Sequence, residues 1–168
     1  LMGLGASEFY EAIPSFIGAS NRLECLVKSK TAFLFKDFAH APSKVKATSK
    51  AIKKQFSNHK ILICLELHTY SSLDSKFIEQ YAHSLDQADE VVIFYDPEAL
   101  KIKKRAPIAP EFIKQAFRKP SINIFNYKDS LLNFLLKKKY KNKVLVMMSS
   151  GSFGDLDWEI LKARVSEF

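Results

Sequence analysis

The sequence predicts an α/β fold in which a mostly parallel sheet of about six strands lies between two layers of helices. Apolar runs of strand length recur along the 168 residues, and they are continuous rather than alternating with polar residues. Such runs are typical of parallel strands that are buried on both faces. Segments with helical spacing of apolar residues separate the runs, as expected for repeated strand–helix–strand units. The sequence therefore predicts a three-layer α/β/α domain.

Six apolar segments are predicted to be strands. Residues 23–27 and 31–35 flank Lys28-Ser29-Lys30, and a gap of this length suits an antiparallel β-hairpin. The other four predicted strands are residues 61–65, 91–95, 122–125 and 144–148. The hairpin should therefore add one antiparallel strand to an otherwise parallel sheet.

Helices are predicted between the strands from the spacing of apolar residues. Pro42 is suited to a first helical turn, and Val45, Thr48, Ile52 and Phe56 follow it on one face. Leu73, Phe77, Tyr81 and Leu85 are four residues apart, which predicts a helix over 73–86. Further helices are predicted at 7–17, at 111–117, from Asp129 to Leu136, and at the end, where Leu156, Ile160, Leu161 and Val165 mark the closing helix. Residues 96–110 contain three prolines and are predicted to form a surface loop.

The composition fits one domain with one core, since 47% of the residues are apolar. The net charge of +8 suits an anionic partner such as a nucleotide, a phosphate or a nucleic acid, or else a solvated basic surface. No apolar run reaches the length of a membrane-spanning helix. Cys25 and Cys64 lie in apolar runs and are expected to be buried, unpaired thiols in a reducing compartment.

Three polar loops follow predicted strands, at residues 36–42, 66–72 and 149–154. Ligands of open α/β sheets bind beyond the carboxyl ends of the strands, and a helix that begins there favours anions. We therefore expect these loops to form one binding edge, although each could also be an ordinary turn. His68 and Ser71 could suggest a base and a nucleophile, but the G-x-S-x-G turn of hydrolases is absent. The phosphate-binding pattern G-x-x-x-x-G-K-[ST] and metal-ligand spacing are absent as well.

The segment 18–24, the hairpin, and Asp37-Phe38-Ala39-His40-Ala41-Pro42 together resemble the opening of the C-terminal domain of Mur ligases. That family carries G-x-x-x-R-x-[EF/D], a short hairpin and then D-[YF]-[AG]-H-x-P. The similarity continues through residues 66–72 and 147–154 and so covers nearly the whole chain. The resemblance implies that residues 1–20 form a linker helix from a missing central ATPase domain. Residues 21–168 would then be the Mur ligase C-terminal, Rossmann-like domain.

Within the family, residues 37–48 and 147–154 are most similar to the branch that joins UDP-N-acetylmuramate to the recycled tripeptide L-alanyl-γ-D-glutamyl-meso-diaminopimelate. The alternative is the branch that adds L-alanine to UDP-N-acetylmuramate. Its loop reads H-R-Y-[ST]-R, whereas Thr69 and Ser72 replace both arginines here. Three alternative hypotheses for the function remain: a folate or cyanophycin relative within the family, a stand-alone receiver or hydrolase, and a basic nucleic-acid-binding α/β module.

The resemblance implies a cytoplasmic, ATP- and Mg²⁺-dependent carbon–nitrogen ligase of cell-wall peptidoglycan biosynthesis and recycling. ATP would convert the muramate carboxylate to an acyl phosphate, which an amine then attacks. Arg22 would contact the ATP phosphates, Asp37 the ribose, and His40 the same nucleotide edge. The substrate-facing residues would be His68, Thr69, Tyr70, Ser71, Ser149, Ser150 and Gly151. The partners would be UDP-N-acetylmuramate, the tripeptide and the missing domains, with no nucleic acid and no membrane. Alone, the chain should be inactive and should bind no cofactor tightly. No residue is assigned as a metal ligand or as a general base.

Overall fold

The computed structural model describes residue 7 and residues 22–102, 109–119 and 121–168, and it contains the predicted six-stranded sheet. The strands are β1 (Glu24–Lys28), β2 (Ala32–Asp37), β3 (Lys60–Glu66), β4 (Glu90–Phe94), β5 (Ile122–Phe125) and β6 (Lys143–Met148). They lie in the order β1-β2-β6-β3-β4-β5. Only β1 and β2 pair in antiparallel fashion, and the other four pairings are parallel. The predicted fold class is therefore confirmed.

Helices cover both faces of this sheet. In the described part of the chain they are α1 (Pro42–Gln55), α2 (Pro97–Ile102), α3 (Pro110–Phe117), α4 (Lys128–Leu136), α5 (Trp158–Ser166) and a 3-10 helix at Ile78–Tyr81. None of the described helices is long and apolar enough to cross a membrane. The predicted linker helix at 7–17 and the segment 18–21 fall outside the described residues, apart from residue 7.

The central strand β3 shows why the domain has two cores, one on each face of the sheet, rather than the single core expected from composition. Ile61, Ile63 and Leu65 face the core beneath α1, the 3-10 helix and α3, whereas Leu62 and Cys64 face the core beneath α4 and α5. Alternate residues of a strand point to opposite faces, so a strand covered on both sides must be apolar throughout. Each fully buried aliphatic side chain contributes about 1.5–3 kcal/mol. The continuous apolar runs in the sequence are therefore the cause of the three layers.

The prediction of a helix at 73–86 is wrong. The segment is a series of tight turns with one 3-10 helix, in which N–H groups bond mostly to the carbonyl three residues earlier. His83 has a left-handed backbone with φ of 61°, and its N–H bonds outside the segment to the Phe117 carbonyl. Leu73, Tyr81 and Leu85 are nevertheless buried, so the pattern located the inward face but not the conformation.

Three smaller expectations also need correction. Residues 97–102 form helix α2 rather than loop, because the Asp96 carboxylate accepts a hydrogen bond from the Glu98 N–H at the helix start. Cys25 is exposed, because it lies on the edge strand β1 beside a bulge, whereas Cys64 is buried as expected. Leu156 precedes the closing helix α5, which begins at Trp158, and Ile160 is 47% exposed on it, since Leu161 and Val165 form its inward face.

Asp89 joins α1 to the amino end of β3, and its charge should stabilise the fold. Partial burial alone would raise its pKa, but hydrogen bonds from the Ile61 N–H, Lys60 and Lys53 outweigh burial and lower the pKa to about 2. A carboxyl pKa lowered by folding adds stability above its unfolded value of about 4, and this is lost as pH falls toward 2.

We therefore expect Asp89→Asn to lower the free energy of unfolding by about 1 kcal/mol at pH 7, a modest value because the pair is solvent-accessible. Urea denaturation of both proteins should show the difference shrinking as the pH is lowered below 4. A difference that stays constant down to pH 2 would contradict the ionic origin.

Candidate functional site

The carboxyl ends of β2, β6 and β3 lie side by side and bring the three predicted loops to one edge of the sheet. Asp37 is in register with Met148, and Met148 with Leu65. The Ser149 N–H donates to the Asp37 carbonyl at 2.9 Å, which fixes the first loop against the third. Strand β1 runs the opposite way, so Arg22, just before β1, starts at the same edge. The edge is therefore a candidate binding surface, as the topology of parallel strands requires.

A buried carboxylate lies at the centre of this edge. The side chain of Glu66, the last residue of β3, is only 1% exposed. Its Oε2 accepts hydrogen bonds from the Ser149 hydroxyl and from the Phe153 N–H, the latter at 2.9 Å. The Ser149 hydroxyl in turn accepts the Gly151 N–H at 2.6 Å. The carboxylate thus holds the loop after β6 to the end of β3, a role not assigned from sequence.

His68 lies directly against this carboxylate. Its ring nitrogen Nδ1 is 3.6 Å from Glu66 Oε1, within ion-pair range, and the imidazole is 40% exposed. A Cβ atom on Gly151 would lie 2.7 Å from the His68 ring and 2.9 Å from Glu66 Oε2, closer than real Cβ contacts come. Only glycine therefore allows the third loop to approach the second this closely.

The remainder of the second loop folds on itself. Thr69 Oγ1 is 3.1 Å from Ser71 Oγ and accepts the Ser72 N–H at 3.1 Å. No α-helix follows this loop, so the expected helix N-terminus is absent here. Tyr70 is exposed beside these hydroxyls. Thr69, Tyr70 and Ser71 thus stay at the edge, but the hydroxyls of Thr69 and Ser71 already contact each other.

A pocket of about 410 Å³ lies at the β2 end of the edge. Its lining includes Arg22, Asp37, Phe38, Lys44 and Thr48. Asp37 is largely buried; one carboxylate oxygen accepts the Ala39 N–H and the other accepts the Thr48 hydroxyl at 2.7 Å. The predicted pair Arg22 and Asp37 is therefore brought together in one pocket.

His40 occupies the same loop but does not line this pocket. Its ring Nδ1 is 2.9 Å from the Phe38 carbonyl, and its ring packs edge-on against the Phe38 ring. The Tyr81 hydroxyl donates to the His40 carbonyl, which anchors the loop to the 3-10 helix. Burial raises the pKa of Tyr81 to about 12, so that hydroxyl keeps its proton at neutral pH.

A second pocket, of about 300 Å³, follows the ends of β4 and β5 and was not predicted from sequence. Asp96, Glu98, Lys101 and Lys128 line it, together with Gly154 of the third loop. The Lys101 ammonium group donates to a Glu98 carboxylate oxygen at 2.6 Å, and this hydrogen bond raises the pKa of Lys101. The sequence signal was present in Asp96-Pro97-Glu98 directly after a buried strand. The pocket offers charges of both signs next to the Gly151 loop.

Among the residues that the structure describes, no group of three His, Cys, Asp or Glu side chains could hold a metal ion. The fold is an α/β domain with a candidate binding edge, which has a pocket lined by Arg22 and Lys44 at β2 and a buried carboxylate at β3. Residues 21–151 match the family described as Mur ligase, glutamate ligase domain. The chain belongs to the Mur ligase family, and the chain spans about a third of the length of the curated relatives it matches. The predicted resemblance is confirmed.

Individual relatives and solved structures are similar to the chain at lower identity. It is 29% identical over 167 residues to the UDP-N-acetylmuramate–L-alanine ligase of Caldicellulosiruptor bescii, which covers 98% of this chain and 36% of that protein. The structure of a murein peptide ligase from Psychrobacter arcticus matches with a TM-score of 0.71 and 20% identity, covering 99% of this chain and 34% of that one. A domain assigned to a UDP-N-acetylmuramate:L-alanyl-γ-D-glutamyl-meso-diaminopimelate ligase from Haemophilus ducreyi matches with a TM-score of 0.61 and 23% identity. This match covers 85% of this chain and 99% of that domain. At such identities the two structures support the fold alone.

Proposed function

We propose that this chain is the C-terminal domain of a cytoplasmic, ATP- and Mg²⁺-dependent ligase that joins UDP-N-acetylmuramate to a recycled cell-wall tripeptide. The observation that carries the proposal is the arrangement along one sheet edge. A cationic pocket with Arg22 and Asp37 lies at β2, and a carboxylate-braced loop with Ser149 and Gly151 lies beside it. A nucleotide and an amine substrate bound at this edge would be neighbours.

The pocket at β2 suits the nucleotide. Arg22 and Lys44 supply two cations where ATP phosphates would lie, and a fixed guanidinium stabilises charge that moves to the leaving phosphate. Each Asp37 oxygen has one internal hydrogen bond, so each retains a lone pair for a ribose hydroxyl. His40 would border the nucleotide from the same loop.

The loop after β6 and the second pocket suit the amine substrate. The Ser150 hydroxyl is buried and makes no hydrogen bond to any described residue, so it can serve a bound ligand. His68, Thr69, Tyr70 and Ser71 would border the amine on the other side. The second pocket has carboxylates and ammonium groups and is far larger than L-alanine requires. Charges of both signs fit a tripeptide with an ammonium end and several carboxylates.

The magnesium site and the phosphate-binding loop would be supplied by other domains of a longer protein. The sequence has no G-x-x-x-x-G-K-[ST] pattern, and the described residues contain no cluster that could hold a metal ion. Closure of the domains over the edge would exclude water that could hydrolyse the acyl phosphate. The L-alanine-adding activity of the Caldicellulosiruptor relative is the competing candidate within the family.

A ligation assay with the full-length protein tests the proposal. With UDP-N-acetylmuramate and ATP, the tripeptide should give a kcat/KM at least about tenfold above that of L-alanine, because only the tripeptide fills the charged pocket. The isolated chain should neither ligate nor consume ATP. An equal or higher kcat/KM for L-alanine would favour the competing candidate. Ligation by the isolated chain would refute the proposal that this domain needs other domains for activity.

A further inference from the structure

Every ligation of this kind must remove protons from the incoming amine. An ammonium group has no lone pair with which to attack a carbonyl, and the nitrogen that has attacked carries a positive charge until it loses a proton. A peptide α-amino group has a pKa of about 7.7–8.0, so most of it is protonated at neutral pH. A positioned base would therefore accelerate the step in which the amide bond forms.

The structure singles out one histidine for such a role. Of the four histidines, His59 and His83 precede β3 and β4, and so lie toward the opposite edge of the sheet from the loops. The ring of His40 bonds back to its own loop. Only His68 lies against a buried carboxylate at the edge where the proposed substrate loops meet.

The carboxylate orients the imidazole. Glu66 Oε1 faces Nδ1, and a carboxylate next to Nδ1 favours the tautomer that carries its proton there. The lone pair is then on Nε2, on the far side of the ring, as in other carboxylate–histidine pairs that act as bases. The separation of 3.6 Å is longer than a hydrogen bond, but such contacts often shorten only when the substrate is bound.

We propose that His68 is the base that accepts the proton from the attacking amine, and that Glu66 is its positioning residue. This inference rests on the proposed ligase function. The amine nitrogen bonds to the acyl carbon of the acyl phosphate, and Nε2 takes a proton from that nitrogen. The tetrahedral intermediate then expels inorganic phosphate and leaves the amide. The imidazolium, stabilised by the Glu66 carboxylate, returns its proton to solvent through its exposed side.

Hydroxylamine separates this step from activation of the carboxylate. It is a neutral nucleophile at pH 7 and converts an acyl phosphate to a hydroxamate without needing a base. The full-length protein is given UDP-N-acetylmuramate and ATP, with either the tripeptide or hydroxylamine. In His68→Asn, peptide ligation should fall on the order of 10²-fold, whereas hydroxamate formation stays comparable to wild type. Added imidazole should restore part of the peptide ligation in His68→Ala.

Two further variants separate charge from shape. Glu66→Gln keeps an oxygen for the Ser149 hydroxyl and the Phe153 N–H but removes the charge beside His68, so it should lower peptide ligation and spare hydroxamate formation. His83→Asn is the matched control, because His83 pairs with Asp86 on the exposed surface and its positive φ is tolerated by asparagine. It should leave both rates unchanged.

The outcomes are distinguishable. Peptide ligation at the wild-type rate in His68→Asn overturns the assignment. An equal loss of peptide ligation and of hydroxamate formation also overturns it, since that result means that His68 supports the shape of the site or the activation of the carboxylate. If the wild-type protein forms neither amide nor hydroxamate, the proposed ligase function fails, and this inference falls with it.

Discussion

Replacing Arg22 with alanine in the full-length protein is expected to reduce turnover by about 10²- to 10³-fold while leaving peptide affinity nearly unchanged. Arg22 is exposed and lines the pocket that also contains Asp37 and Lys44, at the β2 end of the edge. The second pocket, where the peptide is proposed to bind, lies beyond β3 at the ends of β4 and β5. A charge that stabilises phosphate leaving from the nucleotide should therefore affect kcat rather than peptide binding.

Steady-state kinetics measures kcat, and calorimetric titration of the peptide measures its affinity separately. Arg118→Asn is a suitable control, because Arg118 is an exposed cation at the end of α3, away from the carboxyl edge, and asparagine tolerates its left-handed backbone. It removes the same charge from the whole protein and should change neither quantity. Loss of peptide affinity in Arg22→Ala, with kcat preserved, would contradict the nucleotide role.

The sheet could be predicted from sequence because its cause is local and repeated. Each parallel strand is covered on both faces, so each must be apolar at consecutive positions, as residues 61–65 and 144–148 are. A buried helix segment can show the same apolar run, but runs this short favour strands, because helices are longer. The loops at the carboxyl ends follow from the same parallel order, which is why Asp37, His68 and Ser149 could be expected at one edge.

The turns at 73–86 could not be predicted because the deciding interactions are distant in sequence. A spacing of four residues matches a helix, but it equally fits turns that pack Leu73, Tyr81 and Leu85 into the core. The backbone at His83 bonds to Phe117, and the Tyr81 hydroxyl bonds to His40. These tertiary contacts override the local preference for a helix.

Glu66 was missed because sequence alone does not reveal where a carboxylate at a strand end points. A charged residue after an apolar run is usually exposed. Here the neighbouring loop brings a hydroxyl and an N–H group to it, and Gly151 allows the close approach. Burial of the carboxylate therefore depends on residues 83 or more positions away in the chain.

Glu66→Ala is expected to lower the free energy of unfolding of this chain by about 3 kcal/mol. The substitution leaves the Ser149 hydroxyl and the Phe153 N–H buried without their acceptor, and each such group costs about 1–3 kcal/mol. Glu66→Gln retains an acceptor oxygen in nearly the same place, so its cost should be about 1 kcal/mol. Urea denaturation at pH 7 measures both, and equal costs for the two variants would mean that the charge, rather than the acceptor, holds the loop.

The pair Glu66 and Ser149 gives a stricter form of this prediction. Ser149→Ala removes the donor to Glu66 and the acceptor of the Gly151 N–H, so alone it should also destabilise the chain. Both single variants lose the hydrogen bond between the two side chains, whereas the double variant Glu66→Ala/Ser149→Ala loses it only once. Its loss of unfolding free energy should therefore be smaller than the sum of the two single-variant losses by about 1 kcal/mol. Strict additivity would mean that the two side chains do not interact in solution. Coupling would instead make the loop that carries Ser150 and Gly151 part of the same cooperative unit as β3, which is what a preformed substrate edge requires.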